Sequence, residues 1–480
     1  MTVSKLEQHK HDHTTNRFAV VPTHVRLNTS PEFTGKGVTI GFLDSGFYAH
    51  SDIVDRIATY HDVTGEYPTL DTGSSKSWQW HGTQTSVVAA GDGSLSNGTY
   101  RGLASDARLV LVKVGQNGRI TEDNIARGIE WILKNRQRYN IRVLNISLGG
   151  DQDVPCSKSI IDQLAEEAIR QGIVVVVAAG NSGHEGKHSI PPANAPSVIT
   201  VGGYTDHNRL QKGLDLYQSN FGFTADGTLK PEIIAPAMWV AAPILPKTSN
   251  YTQAEALSRL AACFDYELQT LALTLHEEAS LPEQLLNSDV PTLRTFVETS
   301  LRNNKIVASH YQHVDGTSFA APIVSSLAAQ MLEANPRLTP PAIKHLLIAT
   351  AERIPQMSVL RQGYGVINAR RAVERAAAET HLDSLTQNGK NNRGDRLRFD
   401  YHDDHATSVS LAGDFNKWDA SSTPLGKDAS GLWHVEIATP PPGKYEYKFV
   451  VDGAKWVEDP GNWFKTPDNF GGLNSVLVVD

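Results

Sequence analysis

Ser318 lies in the string His313-Val314-Asp315-Gly316-Thr317-Ser318-Phe319-Ala320-Ala321-Pro322. It directly precedes an apolar, Ala-rich stretch that predicts a helix from Ala320 to Glu333. A hydroxyl placed there sits at a helix amino end, where unpaired backbone donors and the helix dipole favour negative charge. The oxyanion of a serine acyl-transfer intermediate needs such a place. Pro322 in the expected first turn fits, because its missing donor is not needed there.

A serine nucleophile requires a base and an orienting acid. Asp44 ends the apolar run Val38-Thr39-Ile40-Gly41-Phe42-Leu43, just before Ser45-Gly46. His81-Gly82-Thr83 opens a small-residue stretch that includes Ser86-Val87-Val88-Ala89-Ala90. Asn181 follows Val174-Val175-Val176-Val177-Ala178-Ala179-Gly180, so its amide can donate to an oxyanion from a strand end. Taken singly, each also fits a structural role: a Ser cap, a turn Asp, a capping His, a turn Asn.

The elements that must position these residues alternate. Apolar strands are expected at Val38–Leu43, Arg108–Val114, Arg142–Ser147, Val174–Ala179 and Val198–Gly202, with helices at Glu122–Arg138 and Ser159–Gln171. That order predicts an α/β fold, a parallel sheet with helices on both faces. Ligands then bind at the carboxyl edge of the sheet, where Asp44 falls. Pro340–Ala351 and Gly363–Ala378 are expected to close the domain.

Asp44-Ser45-Gly46, His81-Gly82-Thr83, Ala179-Gly180-Asn181 and Gly316-Thr317-Ser318-Phe319-Ala320-Ala321-Pro322, in that chain order, resemble the subtilases, the subtilisin-like serine peptidases. The resemblance covers roughly residues 20 to 380. It implies Ser318 as nucleophile, His81 as general base and acid, Asp44 as the carboxylate that orients His81, and Asn181 as oxyanion donor. It further implies that Ser147, Leu148, Gly149 and Gly180 bind substrate backbone by β-augmentation, with Lys113–Gly118 as the opposite edge. The loop carrying His184, Glu185, Lys187 and His188 is expected to line the first pocket. Gln84 departs from the family, which usually has a second His there; it is not a triad position. The layout is similar to the intracellular subtilisins: no apolar leader opens the chain, and Asp44 lies too near the start for a folded pro-domain. The peptidase domain is therefore expected over 18–380, after a disordered tail at 1–17. Restraint of activity is expected from Phe18–Val21 or from a long insertion covering the cleft.

That insertion, about 247–310, has helical spacing in Ala254, Leu257, Leu260 and Ala261, and again in Leu293, Phe296, Val297 and Leu301. It either overhangs the cleft or forms a remote hairpin.

Residues 381–395 are polar and rich in Gly and Asn, a linker by composition. Beyond it, Leu397, Phe399 and Tyr401 alternate, as do Trp433, Val435 and Ile437, and Tyr445, Tyr447, Phe449 and Val451, which predicts an antiparallel β-sandwich of immunoglobulin-like type over 396–480. The strings Gly413-Asp414-Phe415-Asn416-Lys417-Trp418 and Tyr445–Gly453, with Trp456-Val457-Glu458-Asp459-Pro460, resemble the glycogen-binding module of the AMP-activated protein kinase beta subunit and of α-glucan-branching enzymes. The resemblance implies carbohydrate contacts from Trp418, Lys448, Trp456 and Asn474, with Phe470 as an inserted apolar residue. A flat indole can stack on the C–H face of a pyranose while Lys and Asn satisfy hydroxyls. The alternative is a structural or protein-docking module whose Trp residues are core.

Composition sets outer limits. No stretch of the 480 residues is long and apolar enough to span a membrane. A net charge of −8 argues against nucleic acid as partner. With only Cys156 and Cys263 there is no disulfide framework, which with the missing leader predicts a cytoplasmic setting. No cofactor is required by the chemistry. The subtilase resemblance allows a calcium ion, with Asp52 at a family ligand position. His9, His11 and His13 alternate near the start but read as a solvated tail. Two functional classes follow: a serine endopeptidase acting on peptides or proteins and tethered to an α-glucan, or a glucan- or protein-binding scaffold whose peptidase half does not turn over.

Overall fold

The computed structural model describes residues 19–379 and 396–479, apart from 71, 74, 117, 151–153, 184–187, 211–212, 430, 442, 463–464 and 469. The expected tail at 1–17, Phe18, the expected linker at 381–395, and His184, Glu185 and Lys187 lie outside the described residues.

Seven parallel strands form the central sheet: β1 (Thr39–Asp44), β2 (Ile57–Asp62), β3 (Arg108–Lys113), β4 (Ile141–Ile146), β5 (Val174–Ala178), β6 (Ile199–Thr205) and β7 (Ile233–Pro236). Their order is β7-β6-β5-β4-β1-β3-β2, with the short antiparallel strand Asp215–Leu216 beside β6. Both faces are covered, so the strands are apolar on both sides rather than alternating with polar residues. On β1, Ile40 and Phe42 join one core with Val87, Val88 and Val324; Leu43 joins the other with Ile125, Ile129 and Ile161. The period of two thus splits each strand between two cores.

The helices follow: α1 (Trp80–Ala90), α2 (Glu122–Tyr139), α3 (Ile160–Arg170), α4 (Ser249–Ala262), α5 (Asp265–Leu275), α6 (Val290–Asn303), α7 (Thr317–Ala334), α8 (Pro340–Thr350) and α9 (Ala369–Ala378). α7 begins at Thr317, not at Ala320, and is buried almost all round by its small residues. Pro322 is therefore inside the helix, not in its first turn. The expectation for this proline fails because Thr317, Ser318 and Phe319 belong to the helix rather than leading into it.

The insertion is helical as expected. α4, α5 and α6 close around their own core of Leu257, Leu260, Leu268, Leu293, Val297 and Leu301. Its root is tied to the peptidase body by side-chain bonds. Lys247 donates to the carbonyls of Thr72 (3.1 Å) and Gly73 (2.6 Å), and Lys305 pairs with Asp315 at 2.7 Å. The strand Val240–Pro243 that leads into it pairs antiparallel with Tyr311–Val314, which leads out. Val20 packs with Tyr100, Val307 and Tyr311, and Val21 donates to Asn208 at 2.8 Å. Val20 and Val21 are thus held against this hairpin and the loop at Asn208.

The carboxyl-terminal region is an antiparallel sandwich. One sheet holds Arg396–His402, Leu432–Ala438 and Gly426–Lys427; the other holds Val409–Gly413, Gly443–Val451, Leu473–Val479, Lys465–Pro467 and Lys455–Val457. Leu397, Phe399, Tyr401, Trp433, Tyr447, Phe449 and Val451 fill its core, and Val435, Ile437 and Tyr445 pack against it, as the alternation predicted.

A linker by composition at 381–395 predicts two chemically independent regions. The structure corrects this. Arg353 of the peptidase region is ion-paired with Glu458, one of its bonds being 3.2 Å, and Glu458 is only 3% exposed. Arg375 on α9 pairs with Asp404 at 3.3 Å and donates to His402 Nδ1 at 2.7 Å. The cations of Arg353 and Lys465 both stand over the Tyr364 ring, at 5.9 Å and 5.5 Å. Docking joins residues far apart in sequence, which a compositional linker argument does not see.

Candidate active site

The chain runs from β1 out to β2, back to β3, and then crosses to β4 on the other side of β1. The carboxyl ends of β1, β4 and β5 therefore border the crevice where such sheets bind ligands. Asp44 ends β1, Ser147 follows β4, and Gly180 and Asn181 follow β5.

Asp44 is 1% exposed, and its Oδ1 lies 2.7 Å from His81 Nδ1. The backbone N–H of Ser45 donates to the same oxygen at 2.7 Å, and Thr85 Oγ1 donates to Oδ2 at 3.0 Å. Thr85 stands four residues after His81, on the same face of α1. This second carboxylate partner was missed in the sequence, although the spacing carries it. Gly82 lets α1 approach the Asp44 turn: a Cβ there would lie 2.3 Å from the Gly46 carbonyl oxygen. Burial works against a charge on His81, but the charge of Asp44 and its hydrogen bond prevail, holding the imidazole pKa above its ordinary value.

Ser318 is the second residue of α7. The ring of the next residue, Phe319, lies 5.9 Å from the His81 ring, so the amino ends of α1 and α7 meet. Ser318 Oγ donates to the Ser147 carbonyl at 3.4 Å. Gly316, which leads into the helix, has φ +141°, a conformation that favours glycine. Pro322 cannot donate to the Ser318 carbonyl four residues back. Ser147 Oγ does so instead, at 3.0 Å. It is held in turn by Asn145, whose amide donates to it at 3.0 Å and accepts from Ser325 Oγ at 3.0 Å.

Asn181 is oriented through its carbonyl. Its Oδ1 accepts from Thr317 N–H at 2.9 Å and from Thr317 Oγ1 at 3.0 Å. Thr317 Oγ1 also accepts from the Gly180 N–H at 3.1 Å. The side-chain NH2 of Asn181 is left directed away from these bonds, on an exposed residue. Thr317 was quoted in the sequence motif without a role; the structure makes it the clamp for Asn181.

Leu148 and Gly149 are half-buried at the rim, with Gly150 N–H donating to the Pro191 carbonyl at 2.8 Å. Ile190 backs Gly149. On the opposite side, Gln116 and Arg119 exchange bonds in a tight turn. His188 Nδ1 donates to the Phe223 carbonyl (2.9 Å), and its own carbonyl takes the Asn220 amide at 2.8 Å. Trp80, 47% exposed, stands edge-on to His81 with ring centroids 5.1 Å apart. Gln84 is buried and donates to the Pro243 carbonyl at 3.0 Å, tying α1 to the root of the insertion.

Asp52 does not fit a calcium site. Its two oxygens already accept hydroxyl hydrogens, from Ser94 at 2.9 Å and Tyr311 at 2.6 Å. Calcium takes six or more oxygens, and among the described residues no group of three His, Cys, Asp or Glu side chains is placed to hold a metal.

In the sandwich, register decides which carbohydrate candidates share a face. Val450 pairs with Trp456, Ala412 with Lys448, and Glu446 with Val476. Counting by twos, Lys448, Trp456 and Asn474 stand on the outer face, opposite Tyr447, Phe449 and Leu477 in the core. Trp418 and Trp456 lie with ring centroids 6.2 Å apart at 37°. Trp456 is 44% exposed and Phe470 is 94% exposed. Lys448 pairs with Asp468 at 2.5 Å, Asn474 donates to Glu446 at 2.8 Å, and Trp418 Nε1 donates to Asp414 at 2.8 Å.

The family model described as "Subtilase family" matches residues 35–365, and the model described as "Carbohydrate-binding module 48 (Isoamylase N-terminal domain)" matches residues 386–469. The serine protease AprX of Bacillus subtilis (strain 168) is 30% identical over 359 residues, 71% of this chain and 67% of that protein. Subtilisin-like protease 2 of Arthroderma otae is 30% identical over 263 residues, 54% of this chain and 56% of that protein. Among solved structures, proteases from Pseudoalteromonas arctica PAMC 21717 share 21% identity at a TM-score of 0.49, covering 77% of this chain and 97% of that one. A cold-adapted subtilisin-like serine proteinase shares 22% at a TM-score of 0.45, covering 74% and 94%.

Proposed function

The chain belongs to the subtilase family, and from that premise we propose that Ser318, His81 and Asp44 hydrolyse peptide bonds through an acyl-enzyme. The observation that carries this reading is the 2.7 Å Asp44–His81 bond at the amino end of α1, facing the amino end of α7. Ser318 Oγ must leave the Ser147 carbonyl for His81 when substrate arrives, as catalytic hydrogen bonds tighten only in that complex. Oγ then attacks the scissile carbonyl carbon, and its proton passes to His81 Nε2. Asp44 keeps the proton on Nδ1 and stabilises the imidazolium. The carbonyl oxygen becomes an oxyanion, which accepts from the Asn181 NH2 and the Ser318 N–H. His81 gives its proton to the departing amine, and water reverses the sequence to free the acid.

Substrate backbone adds as a strand along Ser147–Gly149, with Gly180 on the same side. Labelling with a fluorophosphonate tests the nucleophile. Wild type reacts and Ser318→Ala does not; a wild type that stays unlabelled at neutral pH overturns the reading. Asn181→Ala should still label but turn over about 10²–10³-fold more slowly, a range taken from subtilisin itself.

The sandwich is proposed to bind α-linked glucan on its outer face, through Trp418, Lys448, Trp456 and Asn474, with exposed Phe470 at the rim. The tilted indole pair supports this, as does the backbone beneath it. Lys417 and Trp418 both hold positive φ, +57° and +62°. Asn416 keeps that strained turn in place, accepting from Gly413 N–H and donating to the Leu411 carbonyl, each at 2.8 Å. Backbone held in this region clusters at ligand clamps, which supports the reading. Pull-down of the full chain on glycogen should be lost in Trp456→Ala while its thermal midpoint holds. Retention by that variant, or no binding by wild type, removes the tether.

A further inference from the structure

The amino edge of the sheet, away from Ser318, carries a cavity of about 430 Å³ lined by Arg136, Arg142 and Arg337 together with Asn140, Gln171 and Thr339. No Asp or Glu lines it. Arg142 is the second residue of β4 and is half-buried, spending two donors on the carbonyls of Pro336 (3.2 Å) and Leu338 (3.0 Å). Burial alone pushes its pKa down; no carboxylate stands near enough to push it back. Arg136, in the last turn of α2, gives Nε to Gln171 at 2.6 Å. The nearest acid along that route, Glu167, is reached only through the Gln171 amide and pairs with Arg170 at 2.7 Å. Arg337 is exposed, in the turn before α8. Among the described residues, none of the three arginines has a carboxylate within ion-pair distance.

The ordinary role for such arginines is to offset helix carboxyl ends, and α2 and α3 both end here. Each end amounts to about half a negative charge. Two ends therefore offset only about one of three guanidinium charges. The start of α8 adds no donors, because Pro340 and Pro341 lack N–H and Thr339 caps Ala342 at 3.3 Å. A ligand must be held by the arginines themselves. Guanidinium forks match the oxygens of a phosphate group, and the side-chain amides of Asn140 and Gln171 with the Thr339 hydroxyl suit hydroxyls beyond it.

We propose that this cavity binds a phosphate dianion, free or as the monoester of a small polar molecule. The inference does not depend on the peptidase reading, and its test does not use activity. The thermal midpoint of the full chain is followed while inorganic phosphate or glucose 6-phosphate is added, against sodium chloride at matched ionic strength and against glucose. A saturable rise with either phosphate, absent with chloride and glucose, is expected. The tighter of the two arms identifies free phosphate or an ester as the better ligand. Arg337→Gln, on an exposed side chain, should keep the midpoint in chloride and weaken half-saturation by about tenfold or more. Arg136→Gln provides a second, independent loss. A rise that does not saturate, an equal rise in chloride, or unchanged half-saturation in both variants overturns the site.

Discussion

Ser147 Oγ donates a 3.0 Å hydrogen bond to the Ser318 carbonyl, the oxygen that Pro322 leaves without its helical donor. A residue just past the end of β4 thus completes the first turn of the helix that presents the proposed nucleophile. Ser147→Ala should cost about 1 kcal/mol of stability, because a partly buried carbonyl loses its donor. Pro322→Ala restores a backbone N–H to the same carbonyl, so the two changes should be strongly non-additive. A double-mutant cycle in urea checks this; additive losses would mean that the Ser147 bond is not a substitute for the missing helical one.

The pH dependence of turnover follows from Asp44. The base form of His81 is needed to accept the Ser318 proton, and Asp44 holds the imidazole pKa above the ordinary 6.5. As pH falls through that raised value, His81 gains a proton and kcat/KM should drop, with half-maximal rate above pH 6.5. Asp44→Asn removes both the charge and the acceptor, so it should lower the rate by orders of magnitude, about 10⁴-fold in a comparable triad. A pH–rate profile on a small peptide measures the limb directly.

Trp80 should shape selectivity. Its exposed indole forms an apolar wall beside His81. Trp80→Ala should raise KM for peptides with an apolar residue next to the scissile bond more than it lowers kcat. A peptide-library profile of the two enzymes reads the change.

The docked sandwich should unfold with the peptidase region. Arg353→Ala strands the nearly buried carboxylate of Glu458. Breaking a buried pair costs about 3–5 kcal/mol, and partial exposure of Arg353 brings the expectation down to about 2–4 kcal/mol. Calorimetry should show one transition in wild type and a separate, earlier transition in the variant.

The same interface should weaken in acid. Burial, then Arg375, lowers His402 to a pKa of about 4. Burial, then His402 and Arg375, lowers His345 to about 3. Both imidazoles are neutral in the folded state and charge more readily when unfolded. Their native environment therefore costs nothing above pH 6.5 and increasingly penalises the fold as pH falls toward 4. The His402 shift alone amounts to roughly 3 kcal/mol. His402→Gln should flatten the fall in thermal midpoint between those limits.

The sequence by itself determined the parallel sheet, the helical insertion and the β-sandwich, because hydrophobic periodicity is local and both cores need it. It also singled out Asp44, His81, Asn181 and Ser318, since each sits at an element end where a turn residue and an apolar run are neighbours in the chain. What it did not contain was partnership across elements. That Thr317 clamps Asn181, that Thr85 shares Asp44, that Ser147 takes the place of the donor absent at Pro322, and that Arg353 reaches Glu458 all depend on segments brought together by packing. A hydrogen bond or ion pair needs atoms within about 3–4 Å, and only the folded backbone sets those distances between residues tens to hundreds of positions apart.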